Sequence, residues 1–242
     1  MSKKDILGVQ FDNYDIAVFT ELSLQLINER RSAYVVTPNT EMVLEAQKNK
    51  VLMRALRKAA LVIPDGIGVI YASRILGNPL KGKVAGVDFA SALLARLSVE
   101  KKSVFLLGAA PGIAEKAAEN IKQKFPGICV SGTMNGYFTE EENDSVIEVI
   151  NSAGPDFLIV CLGFPEQEIW MMDNAGRLKV GLMAGLGGTL DIFSGEKERA
   201  PEKWISSGFE WLYRLIKEPK RIVRMIKLPL ILIKALFKRI GG

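Results

Sequence analysis

Short apolar runs alternate with amphipathic stretches along most of the chain. Residues 6–11 (ILGVQF) and 34–37 (YVVT) read as strands, separated by a helical pattern in which Ile16, Phe19, Leu22 and Leu26 recur on one face. Helical stretches follow at about 40–58, then the short strand Leu61 to Ile63 and a helix from Gly66 to about Leu76. Residues 77–86, rich in Gly, Pro and Lys, read as a loop before a helix over 87–98. In the second half the strands VFLLG (104–108), ICVSG (128–132), FLIVCLG (157–163) and VGLMAG (180–185) are spaced by helical patterns at about 112–124, 140–152 and 165–174.

Near-continuous apolar strands between helices predict an α/β fold: a Rossmann-like parallel sheet core with helices on both faces. Right-handed crossovers then bring the loops that follow the strands to one edge, where ligands bind in such sheets. The pattern changes after Gly195. The chain is therefore read as an α/β core over 1–195, with halves at about 1–100 and 101–195, followed by a C-terminal amphipathic helical appendage over 196–242.

On a helical wheel of the tail, Lys220, Arg224, Lys227, Lys234 and Lys238 fall within about 80° of one another. Ile222, Met225, Ile226, Leu230, Ile233, Leu236, Phe237 and Ile240 lie opposite. A cationic stripe against a broad apolar face, in a helix of about 22 residues interrupted by Pro229, fits a helix lying in a membrane surface. A terminal helix docked on the body or in a dimer seam gives the same pattern, so self-association stays open.

Charge supports a localised anionic partner. The net charge is +5, yet the segment from Arg214 to Gly242 holds nine Lys or Arg against Glu218 alone, a local +8, and the other 213 residues carry −3. That distribution points to a membrane surface or an anionic substrate rather than nucleic acid. The N-terminus lacks the apolar stretch of a signal peptide, and no window reaches the 18 or more apolar residues of a membrane span. The expectation is a cytoplasmic protein, peripheral on the inner face of the cell membrane.

Composition narrows the chemistry further. The 242 residues include no histidine, which removes Ser-His-Asp and Cys-His systems and His-ligated zinc. Any base acting near neutral pH is then a carboxylate, a perturbed lysine or thiol, or the substrate. Cys129 and Cys161 sit in apolar runs and read as small buried hydrophobes in a reducing compartment. No Asp-x-Asp pair occurs, so the carboxylate arrangement that holds a metal–diphosphate complex is missing, and neither cofactor nor metal is expected.

Several polar positions follow strands. Asp65, in LVIPDGIG, faces a cleft or forms an Asp-Gly turn that caps the next helix. Thr37, Pro38 and Asn39 line that cleft or cap the helix carrying Met42. The turns LLGAAPG (106–112), LGFPEQE (162–168) and GLGGTLD (185–191) match neither a dinucleotide fingerprint nor a Walker A loop. Together on one edge they make a glycine-lined pocket for a nucleotide, with Gln167, Glu168 and Asp191 as polar groups or as helix-terminus residues. Arg214, Arg221 and Arg224 offer forked donors for phosphate oxygens, or form an exposed charge run.

The set TPN (37–39), PDG (64–66), VAG (84–86), FLLGAAPG (105–112), NGYF (135–138), GFPEQE (163–168), GLGGTLDIFSG (185–195), RAP (199–201) and GFEWLYRLIKEPKR (208–221) resembles the WecG/TagA/CpsF family of bacterial glycosyltransferases. The resemblance covers nearly the whole chain in order. It implies an inverting, membrane-associated enzyme that moves N-acetylmannosamine or a related aminosugar from a UDP donor. The implied acceptor is polyprenyl-diphosphate-linked N-acetylglucosamine, used in wall teichoic acid or related surface polysaccharides.

By the same resemblance Asp65 is the general base, and Thr37, Asn39 and Gln167 position the sugars. Gly108, Tyr137, Glu168, Gly187, Gly188 and Asp191 belong to the UDP-sugar site, while Lys83, Arg214, Arg221 and Arg224 meet the diphosphate. Two positions depart from the family pattern. Lys83 replaces an Arg, and Asn135 replaces a His before GYF, so position 135 supplies no obligatory acid or base. The competing class is a non-catalytic nucleotide-sugar-binding scaffold at the membrane; a different UDP-aminosugar or hexose donor is the nearer alternative. An NAD-linked dehydrogenase is disfavoured by the missing fingerprint.

Overall fold

The structure, a computed structural model, describes residues 3–206, 210–217 and 226–241. Six parallel strands form one sheet: β3 (Ala33–Val36), β4 (Leu61–Val62), β5 (Ser103–Gly108), β6 (Cys129–Met134), β7 (Phe157–Cys161) and β8 (Leu182–Gly185), in the order β4-β3-β8-β7-β5-β6. Strand side chains alternate faces, as the pleat requires. Tyr34, Val36, Phe105, Leu107, Leu158, Val160 and Met183 enter one buried cluster. Val35, Val104, Leu106, Phe157, Ile159, Leu182 and Ala184 enter the other. Both faces are covered, and the Rossmann-like α/β expectation holds.

The second cluster is roofed by α1 (Ile16–Glu29), α5 (Gly86–Val99), α6 (Ile113–Lys124) and α9 (Thr189–Phe193). The first lies under α2 (Thr40–Ala46), α3 (Lys50–Lys58), α4 (Ile67–Ile75), α7 (Asn143–Ala153) and α8 (Glu166–Asn174). The helical pattern over 40–58 is thus two helices. Each opens on an asparagine whose side chain accepts two backbone N–H bonds, Asn39 for α2 and Asn49 for α3.

Two expectations about the strands change. Residues 6–11 do not form one strand: β1 (Lys3–Ile6) and β2 (Val9–Asp12) are an antiparallel hairpin outside the main sheet. Leu7 (φ 54°) and Gly8 (φ 94°) make its two-residue turn, with the positive φ values that match strand twist. The hairpin covers the sheet edge, where the buried Asp12 carboxylate accepts the Val62 N–H at 2.9 Å. Cys129 is exposed rather than buried, because β6 is the opposite edge strand and Cys129 begins it; Cys161 is buried as expected.

The C-terminal part contributes α10 (Glu202–Ser206), α11 (Glu210–Lys217) and α12 (Lys227–Gly241). Pro229 sits in the first turn of α12, where its missing N–H is tolerated, and does not interrupt the helix. This helix is docked on the body. Ile231 and Ala235 are fully buried in the first cluster, and α12 packs against α4 and α2. Its cations turn inward: Lys227 pairs with Glu41 at 2.5 Å, Lys238 with Asp5 at 3.0 Å, and Lys234 donates to Gln47 at 2.8 Å. The opposite face, with Leu230, Ile233, Leu236, Phe237 and Ile240, is exposed.

Below the strands, at their N-terminal ends, Asp156 ties three elements together. Its carboxylate accepts bonds from Arg30, from the Ser103 N–H and from the Ser103 hydroxyl, each at 2.9 Å. Partial burial works against the charge, but the Ser103 bonds and the nearby Lys102 and Arg30 hold this carboxyl below its usual range. At the other end, β5 and β7 approach so closely that a Cβ on Gly108 (φ 127°) would lie 2.3 Å from the Cys161 carbonyl oxygen. Gly108→Ala is therefore expected to destabilise by about 2–4 kcal/mol, whereas Gly154→Ala, at a positive φ with open space around it, costs about 1 kcal/mol. Urea-unfolding midpoints check this, and equal midpoints for the two variants would contradict it.

Candidate active site

The loops leaving β3, β4, β5, β7 and β8 converge on one cleft of about 930 Å³, a size ordinary for a ligand site. Register explains the convergence. Gly185 of β8 is level with Val36 of β3 and with Val160 of β7, so the three neighbouring strands end at one height. Of the residues expected from sequence, Thr37, Asn39, Asp65, Lys83, Tyr137, Gln167, Gly187, Gly188 and Asp191 all line this cleft.

Each is placed by local chemistry. The Thr37 hydroxyl donates to the Gly185 carbonyl at 3.0 Å, which fixes the start of the first loop on β8. Asn39 both borders the cleft and caps α2, its Oδ1 accepting the N–H groups of Glu41 and Met42 at 2.9 and 3.1 Å. Asp65 is half-buried, and its N–H donates to the Pro38 carbonyl at 3.2 Å, tying the PDG turn to the TPN turn. The N-cap of α4 is Gly66 (φ 89°), not Asp65. Tyr137 is mostly exposed at the rim, its N–H held by Asn135 Oδ1 at 2.9 Å.

Charged residues at the mouth are paired. Lys83 meets Glu210 of α11 at 2.5 Å, and Asp191 meets Lys197 at 2.7 Å. Glu210, Trp211, Lys197 and Leu228 of α12 also face the cleft, so the C-terminal segment supplies part of its wall. Sequence reasoning did not single these four out; Glu210 and Trp211 stood inside the GFEWLY motif, and the other two carried no signal. Arg214 belongs to α11, but its side chain lies outside the described residues, as do Arg221 and Arg224 altogether. Among the described residues no group of three or more Cys, Asp or Glu is placed to hold a metal ion.

Two expected residues stand behind the lining. Gly108 serves the close approach of β5 to β7. Glu168 is fully buried beneath Gln167, and its Oε1 accepts the Gln167 Nε2–H at 2.6 Å. Burial pushes the Glu168 carboxyl up to about 8 against the pull of the Gln167 bond, with Glu166 adding a smaller push. An unfolded glutamate titrates near 4.5, so between that value and about 8 the native chain keeps a proton the unfolded chain has lost. Stability then falls as pH rises through this window. The loss is expected in the native protein and absent from Glu168→Gln, measured as the difference in urea stability between the two from pH 5 to pH 8; parallel profiles would contradict it.

With the geometry in place, comparison with known proteins identifies the chain's relatives. The model of the glycosyl transferase WecG/TagA/CpsF family matches residues 4–242. A Bacillus spizizenii protein named N-acetylglucosaminyldiphosphoundecaprenol N-acetyl-beta-D-mannosaminyltransferase is 34% identical over 230 residues, 95% of this chain and 89% of its own length. Proteins of the same name from Staphylococcus aureus strains MW2 and NCTC 8325 are 33% identical over 235 residues, 96% of this chain and 92% of theirs. An α/β sheet with a cleft at the strand ends, matched along almost its full length, places the protein among glycosyltransferases, and the chain belongs to the WecG/TagA/CpsF family.

Proposed function

We propose that the chain transfers N-acetylmannosamine from UDP-N-acetylmannosamine to N-acetylglucosamine linked to a polyprenyl diphosphate, with inversion at the anomeric carbon. The observation that carries this reading is the half-buried Asp65 in a cleft that also holds Thr37, Asn39, Gln167 and Lys83, in a chain matched over most of its length by relatives named for that transfer. In the single displacement the acceptor oxygen bonds to the anomeric carbon, the bond to the donor phosphate oxygen breaks, and the acceptor proton passes to the Asp65 carboxylate. The negative charge leaves on UDP. Cationic side chains, Lys83 and the arginines 214, 221 and 224, meet that charge in place of a divalent cation. The half over 1–100 supports the acceptor and the half over 101–195 the donor.

The substrate's lipid requires work at a membrane surface, and α12 supplies a contact face. No helix among the described residues is long and apolar enough to cross a membrane. Placed at 100° per residue, Leu236, Ile240, Ile233, Phe237 and Leu230 span about 120° of the outward side of α12. These residues are 43 to 74% exposed, and an apolar strip of this kind inserts into the headgroup boundary. Lys227, Lys234 and Lys238 border the strip but are engaged with Glu41, Gln47 and Asp5. Apolar insertion therefore contributes more to docking than the local +8 implies.

Two experiments test the reading. Release of UDP from UDP-N-acetylmannosamine in the presence of a lipid-diphosphate acceptor, with chelator added, is expected for the native chain, and Asp65→Asn lowers turnover by about 10² to 10⁴. A native chain that binds the donor yet releases no UDP would instead be a scaffold, and equal rates for both proteins would remove Asp65 as the base. For docking, Ile233→Glu with Phe237→Glu is expected to cut co-sedimentation with anionic vesicles by about tenfold or more while leaving the melting temperature unchanged. Undiminished binding of that variant would set aside the α12 face.

A further inference from the structure

The buried carboxyl of Glu168 has no place in the reaction as described, and it is costly where it is. Its side chain is fully buried and its Oε2 has no hydrogen-bond partner among the described residues. An apolar side chain of similar volume would remove that penalty, since Met171 already packs beside it against Gly185. What the carboxyl does make with another side chain is the bond of its Oε1 to the Gln167 Nε2–H at 2.6 Å. The other end of the same amide, Gln167 Oε1, accepts the Gly187 N–H at 3.1 Å. A three-membered relay thus runs from the interior through a cleft residue to the glycine turn after β8.

We propose that Glu168 is a positioning residue of this cleft, which acts through Gln167 to set the orientation of the Gln167 amide and of the Gly187 turn. An amide side chain has a donor end and an acceptor end of nearly the same shape, and only the hydrogen-bond network decides which end points where. Gly187 presents an N–H and needs the acceptor end. Glu168 Oε1 accepts from the donor end and so excludes the flipped amide. The carboxyl keeps an accepting oxygen in either protonation state, and when it is protonated the Gly187 N–H, which needs the acceptor end of the amide, still disfavours the flip.

Space reinforces the relay. A Cβ on Gly185 would lie 3.0 Å from Gln167 Nε2 and 3.3 Å from Glu168 Oε1, so the pair is pressed against the last residue of β8. The strand end, the amide and the turn are thus in direct contact with one another. This inference rests on the transferase reading for its kinetic consequence, but its structural consequence is independent of that reading.

The test uses the full chain with Glu168→Leu, Glu168→Met, Glu168→Gln, Gln167→Ala and the Gln167→Ala/Glu168→Leu double variant. Glu168→Leu is expected to melt at or above the native temperature yet lose about tenfold or more in kcat/KM for the nucleotide-sugar donor; Glu168→Met serves if it does not fold. Glu168→Gln, which keeps an acceptor oxygen, stays within about threefold of native. The double variant is no worse than Gln167→Ala alone, because both changes break the same relay. Hydrogen exchange at the Gly187 amide gives the structural readout, with protection at least tenfold lower in Glu168→Leu and Gln167→Ala and retained in Glu168→Gln.

Native kinetics in Glu168→Leu, losses that multiply in the double variant, or a Glu168→Gln as poor as Glu168→Leu would each overturn the proposal. A native chain that transfers no sugar would instead defeat the transferase reading. The Gly187 exchange rates would then decide the relay alone, and unchanged protection in Glu168→Leu would reject it.

Discussion

Everything at the strand ends depends on the register of β8. This strand is the last of the sheet in sequence, yet it lies between β3 and β7 and is the one that pairs the first half of the chain with the second. Its level alignment with both neighbours brings Thr37, Cys161 and Leu186 to the same height at the top of the sheet. A slip of one residue would turn Met183 and Ala184 to the wrong faces and carry the Gly187 turn away from Gln167. Thr37 Oγ1 to Gly185 O and Leu186 N to Val160 O, both at 3.0 Å, lock that register on its two sides.

The fold was legible because parallel strands buried on both faces leave long apolar runs, and β5, β7 and β8 are such runs. The hairpin was not, since ILGVQF has the same composition as one strand or as two strands with a tight turn, and only the positive φ of Leu7 and Gly8 separates the cases. The exposure of Cys129 was hidden for a related reason: the run ICV at 128–130 is as apolar as the start of a central strand, and an edge position is set by pairings far away in sequence. The cleft residues were legible as a set because loops after parallel strands share an edge, even though Asn39 turned out to fill both of the roles that spacing allowed.

The tail shows where periodicity stops informing. A helical wheel separates the apolar from the cationic positions of α12 but does not say which side meets the body. The inward turn of Lys227, Lys234 and Lys238 depends on Glu41, Gln47 and Asp5, nearly the whole chain away. Ile231 and Ala235 seat the helix in the core together with Leu228, Leu232 and the lysine contacts, and Gly68 lets it close in: a Cβ there would lie 2.6 Å from Leu228 Cδ1. Removing the whole appendage would consequently strip α4 of its cover, so only changes confined to the outward face separate the proposed membrane contact from folding.

The two edges of the sheet divide stability from chemistry. At the N-terminal ends, Asp156 has four groups to satisfy one carboxylate, two of them on Ser103 and two on basic side chains, and its charge is stabilised in place. At the C-terminal ends the backbone is forced into positive φ at Gly108, Ala109, Gly163 and Gly187, and a carboxyl with one unpartnered oxygen is buried at Glu168. Glycine takes the positive φ at three of these positions without cost, whereas Ala109 (φ 60°) and the buried carboxyl are held against a real penalty. The contacts that hold them lie at the strand ends: the Gly187 turn is tied to Gln167, and Ala109 N–H donates to the Cys161 carbonyl at 3.0 Å. Without histidine, the polar groups of that upper edge are held by amide and hydroxyl bonds and by the lysine–carboxylate pairs Lys83–Glu210 and Lys197–Asp191.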